Sequence, residues 1–232
     1  MSNRLDCIYN LIPRDSVGVV DVGTDHGFIP VRLAESGFRG NIIASDLRTD
    51  PLNKAISFSK SRGVNSLIHF KLCDGLTDID RDAIDTIVIA GMGGETITHI
   101  LDEDYWCASD KYKLILQPMT QSNILRYWLI NNGFRIVKEF IIKDEGKIYN
   151  VLNVSFGVPD KYSDAELYLG KYEDLKDDIL FPEYLDQLIR KFSIRVDGQE
   201  KSSTLASDTE LNKSILRELI SYKERIKNNE GQ

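Results

Sequence analysis

The chain has 232 residues, of which 42% are hydrophobic and 28% are charged, and its formal net charge is -7. This composition is typical of a globular protein with one large domain or one domain plus an appendage, and it excludes a chain that is disordered throughout. The negative charge argues against a protein that coats nucleic acid non-specifically, because phosphate contacts need lysine and arginine.

The cysteine pattern and the absence of long apolar runs narrow the class of protein further. Cys7, Cys73 and Cys107 form no CxxC pair, so neither a disulfide framework nor a zinc site is expected. No apolar run approaches the roughly 20 residues that span a bilayer, and the N-terminus lacks the apolar block of a secretion signal. We therefore expect a cytoplasmic protein with no membrane or metal partner, present as a monomer or weak dimer.

The predicted elements alternate between helices and strands up to residue 132. Residues 2–12 have apolar side chains at helical spacing, and residues 17–22 form a β-branched run that is typical of a buried strand. Pro30 fits the first turn of the next helix, and Asp50 is the expected N-cap of the one after it. The remaining predicted helices are 28–36, 51–62, 94–101 and 122–132, and the remaining predicted strands are 41–45, 67–72, 84–90 and 114–117.

A predicted hairpin closes this part of the chain. Strands at 135–143 and 148–156 flank the turn 144–147, which is the spacing of an antiparallel pair. Strand–helix alternation predicts a parallel sheet with helices on both faces, and the added hairpin makes it a seven-stranded variant of the Rossmann-like α/β fold.

The composition changes after Pro159, which predicts a domain at 1–158 and a helical, coiled-coil-like domain at 159–232. Helical stretches are expected at 181–195 and 208–226, joined by a polar loop at 198–207. The apolar stripe of the second helix comprises Leu211, Ile215, Leu219 and Ile226.

The loop that follows the first strand is the first candidate site. Its sequence is DVGTDHG at 21–27, and ligands of open α/β sheets bind at this carboxyl edge. Gly23 and Gly27 would let a ligand approach the backbone closely, and Asp21 would offer a carboxylate to an ammonium group. The pyrophosphate-binding GxGxxG pattern is missing. A tight strand–helix turn remains the alternative explanation.

Three further strand ends carry aspartate or glycine. Asp46 could accept both ribose hydroxyls of an adenosine, and Asp74 could accept from its exocyclic amine while Leu76 packs on the adenine face. An N-cap or surface aspartate remains the alternative for Asp46, and an ordinary Asp-Gly turn for Asp74. Residues 90–94 contain three glycines in four positions, which ligand approach or a tight crossover would explain. Because these ends share one edge of the sheet, they predict a ligand with adenosine, ribose and amino-acid parts. S-adenosylmethionine has those three parts.

Four segments give a specific resemblance to a known family. DVGTDHGFIP, VIAGMGG, LILQPMTQSNILRYWLINNGF and EGKIYNVLNV resemble the bacterial tRNA (adenine(22)-N1)-methyltransferase family, over residues 2–157. The resemblance implies a class I methyltransferase fold, S-adenosylmethionine as cofactor, tRNA as partner, and methyl transfer to N1 of an adenine in the D-loop region. The C-terminal helices resemble that family in layout only.

The resemblance also implies roles for individual residues. The implied cofactor contacts are Asp21, Gly23, Thr24, Gly27, Asp46, Leu47, Asp74, Gly75, Leu76, Ala90, Gly91, Met92 and Gly93. The implied substrate contacts are Arg4, Phe28, Gly94 and Pro118, and the catalytic candidates are Asp25, His26 and Gln117. The chain departs from the family at Phe28, where many relatives have an aromatic hydroxyl, and at Met119, where asparagine is usual.

The chemistry of N1 methylation sets what these residues must do. Adenine N1 attacks the sulfonium methyl with its lone pair, so the enzyme mainly needs alignment and a carboxylate near the developing positive charge. Asp25 is the first candidate for that carboxylate, and His26 and Gln117 would orient the base, although His26 could equally be structural. We expect one basic patch beside the site, formed by Arg4, Arg14, Arg32, Arg39, Arg48, Lys54, Lys60 and Arg62. A scattered, solvated set of surface charges is the alternative explanation.

Two other functions remain open from the residues. One is an S-adenosylmethionine-dependent methyltransferase that acts on another RNA or a small molecule. The other is a non-catalytic module that binds an adenosine ligand or RNA.

Overall fold

A computed structural model describes residues 3–201 and 206–230. The chain divides into two compact units, residues 1–160 and 161–232. Within the described residues, no helix is both long and apolar enough to cross a membrane.

The first unit is built on a seven-stranded sheet in the order β3-β2-β1-β4-β5-β7-β6. The strands are β1 Gly18–Val22, β2 Asn41–Asp46, β3 His69–Leu72, β4 Thr86–Gly93, β5 Lys113–Thr120, β6 Phe134–Asp144 and β7 Lys147–Phe156. The first five run parallel, and β7 pairs antiparallel with both β5 and β6. The predicted Rossmann-like fold with a terminal hairpin is confirmed.

Among the described residues of this unit, five α-helices accompany the sheet. They are α1 Asn3–Leu11, α2 Phe28–Glu35, α3 Thr49–Ser61, α4 Gly94–Glu103 and α5 Ser122–Asn131. All five residues of β1 are buried, as expected for a strand that is covered on both faces. The strand order reverses between β1 and β4, which places a crevice at their carboxyl ends, where ligands of such sheets bind.

Several predicted boundaries differ from the structure. Residue 2 of the first predicted helix lies outside the described residues. The helix expected to be capped by Asp50 begins two residues earlier than predicted, at Thr49 with Arg48 as N-cap, so Asp50 lies inside its first turn. β4 continues through Gly93 because residues 92 and 93 still pair with β5 after register shifts, so most of the glycine segment is strand rather than loop.

The second unit is helical, with α6 Asp164–Leu169, α7 Tyr172–Leu175, α8 Phe181–Glu200 and α9 Ala206–Glu230. The sequence reasoning missed α6, although Ser163 and Glu166 form a capping box at its start. The predicted polar loop was too long, because α8 runs through Gly198 to Glu200; residues 202–205 of that loop lie outside the described residues.

The apolar stripe predicted for α9 was partly wrong. Ile215 and Leu219 are buried, whereas Leu211 is 48% exposed. The neighbouring Asn212 is buried in its place and donates to Gln199 Oε1 of α8 at 3.0 Å. The buried face of α9 therefore includes a polar position that a search for apolar spacing could not find.

Candidate functional site

The loop after β1 is held against β2 by its backbone. The N–H groups of Gly23 and Thr24 both donate to Ser45 O, at 2.8 and 2.9 Å. Gly23 and Gly27 have φ values of 75° and 68°, a region that favours glycine. A Cβ on Gly27 would lie 2.9 Å from Ala55 Cβ, so this glycine lets α3 pack closely against the loop.

A small cavity of about 270 Å³ opens above this loop. Its lining comprises Arg4, Leu5, Asp21, Gly23, Thr24, Asp25, His26, Gly27, Phe28, Ile29, Ala90, Gly91 and Met119. The structure therefore brings together the predicted residues of the first loop, the end of β4 and the leading helix. We call this space the small cavity.

Asp21 is the buried acid of the small cavity, with 9% of its surface exposed. Burial raises the pKa of the Asp21 carboxyl to about 6, and the nearby Asp46 carboxylate pushes it in the same direction. An ammonium group beside Asp21 would reverse this effect by stabilising the ionised form. The carboxylate of Asp21 at the end of β1 is therefore nearly shielded from water and suited to bind a cation.

A larger cleft of about 800 Å³ adjoins the small cavity and shares Arg4, Leu5, Phe28 and Met119 with it. We call it the large cleft. Its other lining residues are Asp6, Val31, Arg32, Glu35, Phe58, Arg62, Asp144, Glu145 and Tyr149. Sequence reasoning missed the aromatic residues Phe58 and Tyr149, although Tyr149 lies in the segment EGKIYNVLNV that carries the family resemblance.

The large cleft does not carry the excess of positive charge that the predicted basic patch implies. Its lining has three arginines and four carboxylates. Arg32 pairs with Asp6, and the Nε of Arg62 lies 2.5 Å from Glu35 Oε1. Elsewhere in the predicted patch, Lys54 faces Asp25. The balanced charge suits an uncharged group such as a nucleobase better than a phosphate.

Asp25 and His26 lie on the exposed rim of the small cavity. His26 Nε2 is 3.3 Å from Asp25 Oδ2, and Lys54 Nζ is 3.5 Å from Asp25 Oδ1. The His26 ring stacks on Phe28 at a centroid distance of 5.3 Å, and Phe28 in turn meets the edge of Phe58 at 5.5 Å. This row of rings leads from the rim into the large cleft.

Gln117 occupies a different place from the one predicted. Its side chain is fully buried, its Oε1 accepts from Arg4 Nη1 at 2.6 Å and Gly91 N at 3.1 Å, and its Nε2 donates to Pro118 O at 2.9 Å. The second N–H of Nε2 points to Met119 Sδ at 3.7 Å, so a direct contact with a substrate base would require the amide to give up one of these four contacts. Pro118 is buried as well, whereas Met119 lines both spaces.

The glycines of residues 90–94 serve different purposes. Gly91 has a φ of 83° and lines the small cavity. A Cβ on Gly94 would lie 2.2 Å from Gln121 O, so the expected close approach is made by the protein's own backbone and not by a ligand. Met92 lies against Gly23, because a Cβ there would be 2.0 Å from Met92 Cε. Gly93 has an extended backbone at the end of β4.

The predicted adenosine-binding residues lie outside the lining of the two spaces. Asp46 is buried and accepts from Arg48 N at 2.8 Å, while Leu47 is 63% exposed. Leu76 is fully buried, so the expected packing of its side chain on an adenine is wrong for this structure. The backbone N–H of Leu76 donates to Asp104 Oδ2 at 2.8 Å, and the same carboxylate oxygen also faces Gly75. Asp74 is exposed at the same edge.

The sequence of the first unit matches the methyltransferase domain family over residues 1–152. The fold and the crevice at the strand ends thus belong to a methyltransferase. A tRNA (adenine(22)-N(1))-methyltransferase of Bacillus subtilis (strain 168) is 30% identical over 98% of this chain and 95% of its own length. The chain therefore belongs to the tRNA (adenine(22)-N1)-methyltransferase family, as predicted.

Solved structures of the same kind cover nearly the whole chain. A Streptococcus pneumoniae protein described as a candidate tRNA (m1A22) methyltransferase has a TM-score of 0.84 and 27% identity, covering 96% of this chain and 99% of its own. The same protein in complex with S-adenosyl-L-methionine has a TM-score of 0.79 and 28% identity, covering 93% and 99%. The similarity thus includes the helical second unit.

Proposed function

We propose that this chain transfers a methyl group from S-adenosylmethionine to N1 of the adenine at position 22 of tRNA. The observation that carries the proposal is the pair of adjoining spaces at the carboxyl edge of the sheet. The small cavity has the charge and size for the amino-acid end of the cofactor, and the large cleft has room and aromatic faces for a base. Their shared wall is where the methyl group would pass between them.

The cofactor is held along the strand ends. Asp21 receives the α-ammonium group in the small cavity, and Asp46 takes the ribose hydroxyls. Asp74 takes the exocyclic amine, with Gly75 beside it.

The target base enters the large cleft. N1 lies on the pairing edge of adenine, so the base must leave its stack before it can react. Phe28, Phe58 and Tyr149 offer aromatic faces, and a base stacked on such a face gains about 1–3 kcal/mol. Because the charges that line this cleft are balanced, we expect the phosphate contacts of the tRNA to lie outside it.

Methyl transfer then needs no base catalyst. The lone pair of N1 forms a bond to the methyl carbon while the bond between that carbon and sulfur breaks. The electron pair of the broken bond stays on sulfur. The positive charge moves from the sulfonium to the adenine ring, so a nearby carboxylate favours the product side. Asp25 has that place on the rim, and His26 orients the base through its stack with Phe28.

Asp25→Asn is expected to lower kcat about tenfold with little change in cofactor affinity, because Asp25 is solvated on the rim and its charge acts mainly on the developing cation. Single-turnover methyl transfer and cofactor titration measure the two quantities. Asp50→Asn on the exposed first turn of α3 is the control and should leave both unchanged. If Asp25→Asn behaves like that control, the charge role is wrong.

The position of methylation is tested by reverse transcription. N1-methyladenine blocks pairing, so unmodified tRNA treated with the protein and S-adenosylmethionine should give a stop at adenine 22. Full-length cDNA from the treated tRNA, with no stop at adenine 22, would contradict the proposal.

The charge balance of the large cleft also favours a second candidate, a small uncharged methyl acceptor. The salt dependence of substrate binding separates the two. Affinity for tRNA falls steeply as salt rises, whereas affinity for an uncharged molecule does not. The cytoplasmic location, the absence of a metal and a monomeric or weakly dimeric state stay predictions.

A further inference from the structure

Arg4 of α1 lies where the small cavity and the large cleft meet, and it lines both. Three groups hold its guanidinium in place. Nη1 donates to Gln117 Oε1 at 2.6 Å, Nε is 3.8 Å from Asp144 Oδ2, and the guanidinium carbon is 5.8 Å from the centre of the Tyr149 ring. This side chain therefore has a defined position before any ligand binds.

The contact with Gln117 directs Arg4 toward the small cavity. Gln117 is fully buried, and the oxygen that accepts from Arg4 also accepts from the N–H of Gly91. A Cβ on Gly91 would lie 3.9 Å from Arg4 Nη1, so the guanidinium lies beside the bend after β4. One buried amide thus fixes both a cation and a backbone segment of the cavity wall.

The charges that line the small cavity match an amino acid. Asp21 and Asp25 are its carboxylates, and Arg4 is the one arginine or lysine among the described residues that line it. An arginine carries five N–H donors, more than the contacts to Gln117 and Asp144 use. Its planar guanidinium can donate two parallel hydrogen bonds to the two oxygens of a carboxylate.

We propose that Arg4 binds the carboxylate of the methionine part of S-adenosylmethionine, opposite Asp21, and that Gln117 is a positioning residue that holds Arg4 there. This replaces the substrate-binding role expected for Arg4 and the catalytic role expected for Gln117. It rests on the proposed function only in taking S-adenosylmethionine as the cofactor.

The test compares two cofactors by calorimetric titration of the full chain without RNA. Decarboxylated S-adenosylmethionine keeps the adenosine, the sulfonium and the ammonium but lacks the carboxylate. The parent protein should bind S-adenosylmethionine about 10- to 100-fold more tightly than the decarboxylated form, the range of a charge-assisted hydrogen bond. Arg4→Gln should lose that preference by weakening only the carboxylate form.

Two further variants give this test its controls. Arg32→Gln removes an arginine that lines only the large cleft, and it should keep the parent's preference. Gln117→Leu should reduce the preference only in part, because Arg4 keeps its contact with Asp144. The decarboxylated form reports the folded state of each variant, because its affinity does not depend on Arg4.

The outcomes separate this proposal from the proposed function. A parent with no preference between the two cofactors, or an Arg4→Gln variant that weakens both equally, would overturn the role of Arg4 while leaving tRNA methylation intact. If Arg4→Gln keeps the parent's preference and, in a separate titration, binds tRNA more weakly, Arg4 binds the substrate and the proposal is overturned. Failure of the parent to bind either cofactor would overturn both proposals.

Discussion

Asp21→Asn is expected to weaken the binding of S-adenosylhomocysteine, which carries the same amino-acid end as the cofactor, by about 100-fold at pH 7.5. The carboxylate is buried at the end of β1 in the small cavity, so its bond to the cofactor ammonium is shielded from water. Asparagine keeps the shape but has no charge to offer. Calorimetric titration of both proteins measures the loss.

The same substitution separates ligand binding from stability. Because the pKa of Asp21 is raised to about 6, protonation favours the folded, cofactor-free protein, and that stabilisation is lost as pH rises from about 4 through 6. Asparagine does not ionise, so the cofactor-free variant should melt no lower than the parent at pH 8. A variant that melts far below the parent would show that Asp21 is mainly structural.

The pH dependence of cofactor binding provides the internal control. Affinity in the parent should fall as pH drops below 6, by up to tenfold per unit, while Asp21→Asn should lack this component. Arg4, Asp25 and His26 line the same cavity and are present in both proteins, so the difference between them isolates Asp21. Parallel pH profiles would contradict the assignment.

Arg126→Met is expected to destabilise the protein by about 3–5 kcal/mol, because it leaves Glu139 buried without its partner. Arg126 lies on α5 and is fully buried, and its Nε donates to Glu139 Oε2 of β6 at 3.2 Å. A second contact joins Nη2 to Glu139 Oε1, which makes the pair bidentate. Urea unfolding measures the change in free energy.

Two comparisons identify the cause of that loss. The double variant Arg126→Met with Glu139→Met removes both charges and should recover most of the stability, since replacing a buried pair by apolar groups is often neutral. Arg135→Met breaks an ion pair with Asp160 in which the two side chains are 56% and 52% exposed. This substitution should lower the free energy of unfolding by less than about 1 kcal/mol. Equal losses for Arg126→Met and Arg135→Met would contradict the role of burial.

Much of the fold and half of the site could be predicted because they are local in sequence. The β-branched runs and the hairpin turn predict the strands of the sheet. Because the carboxyl ends of parallel strands lie at one edge, Asp21 and Gly91 could be placed at that edge from the positions of their strands alone. Side chains that pack inward could not be separated from those that face the edge. Leu76 and Gly94 therefore received ligand roles, although one is in the core and the other meets Gln121.

The large cleft could not be predicted for a different reason. It forms between α1, α2, α3 and the β6–β7 hairpin, which are far apart in the sequence. Arg4 and Gln117 are 113 residues apart, and neither has a local signal that points to the other. Asp104, which accepts from the N–H of Leu76, lies 28 residues beyond it and is equally unmarked. Contacts of this kind follow from topology rather than from motifs.

The most direct test of the proposed function is the amount of labelled methyl transferred from S-adenosylmethionine to two unmodified tRNA transcripts, one with adenine at position 22 and one with guanine there. We predict close to one methyl group per transcript with adenine 22 and none with guanine 22. Equal incorporation into both transcripts, or none into either, would contradict methylation of adenine 22 by this protein.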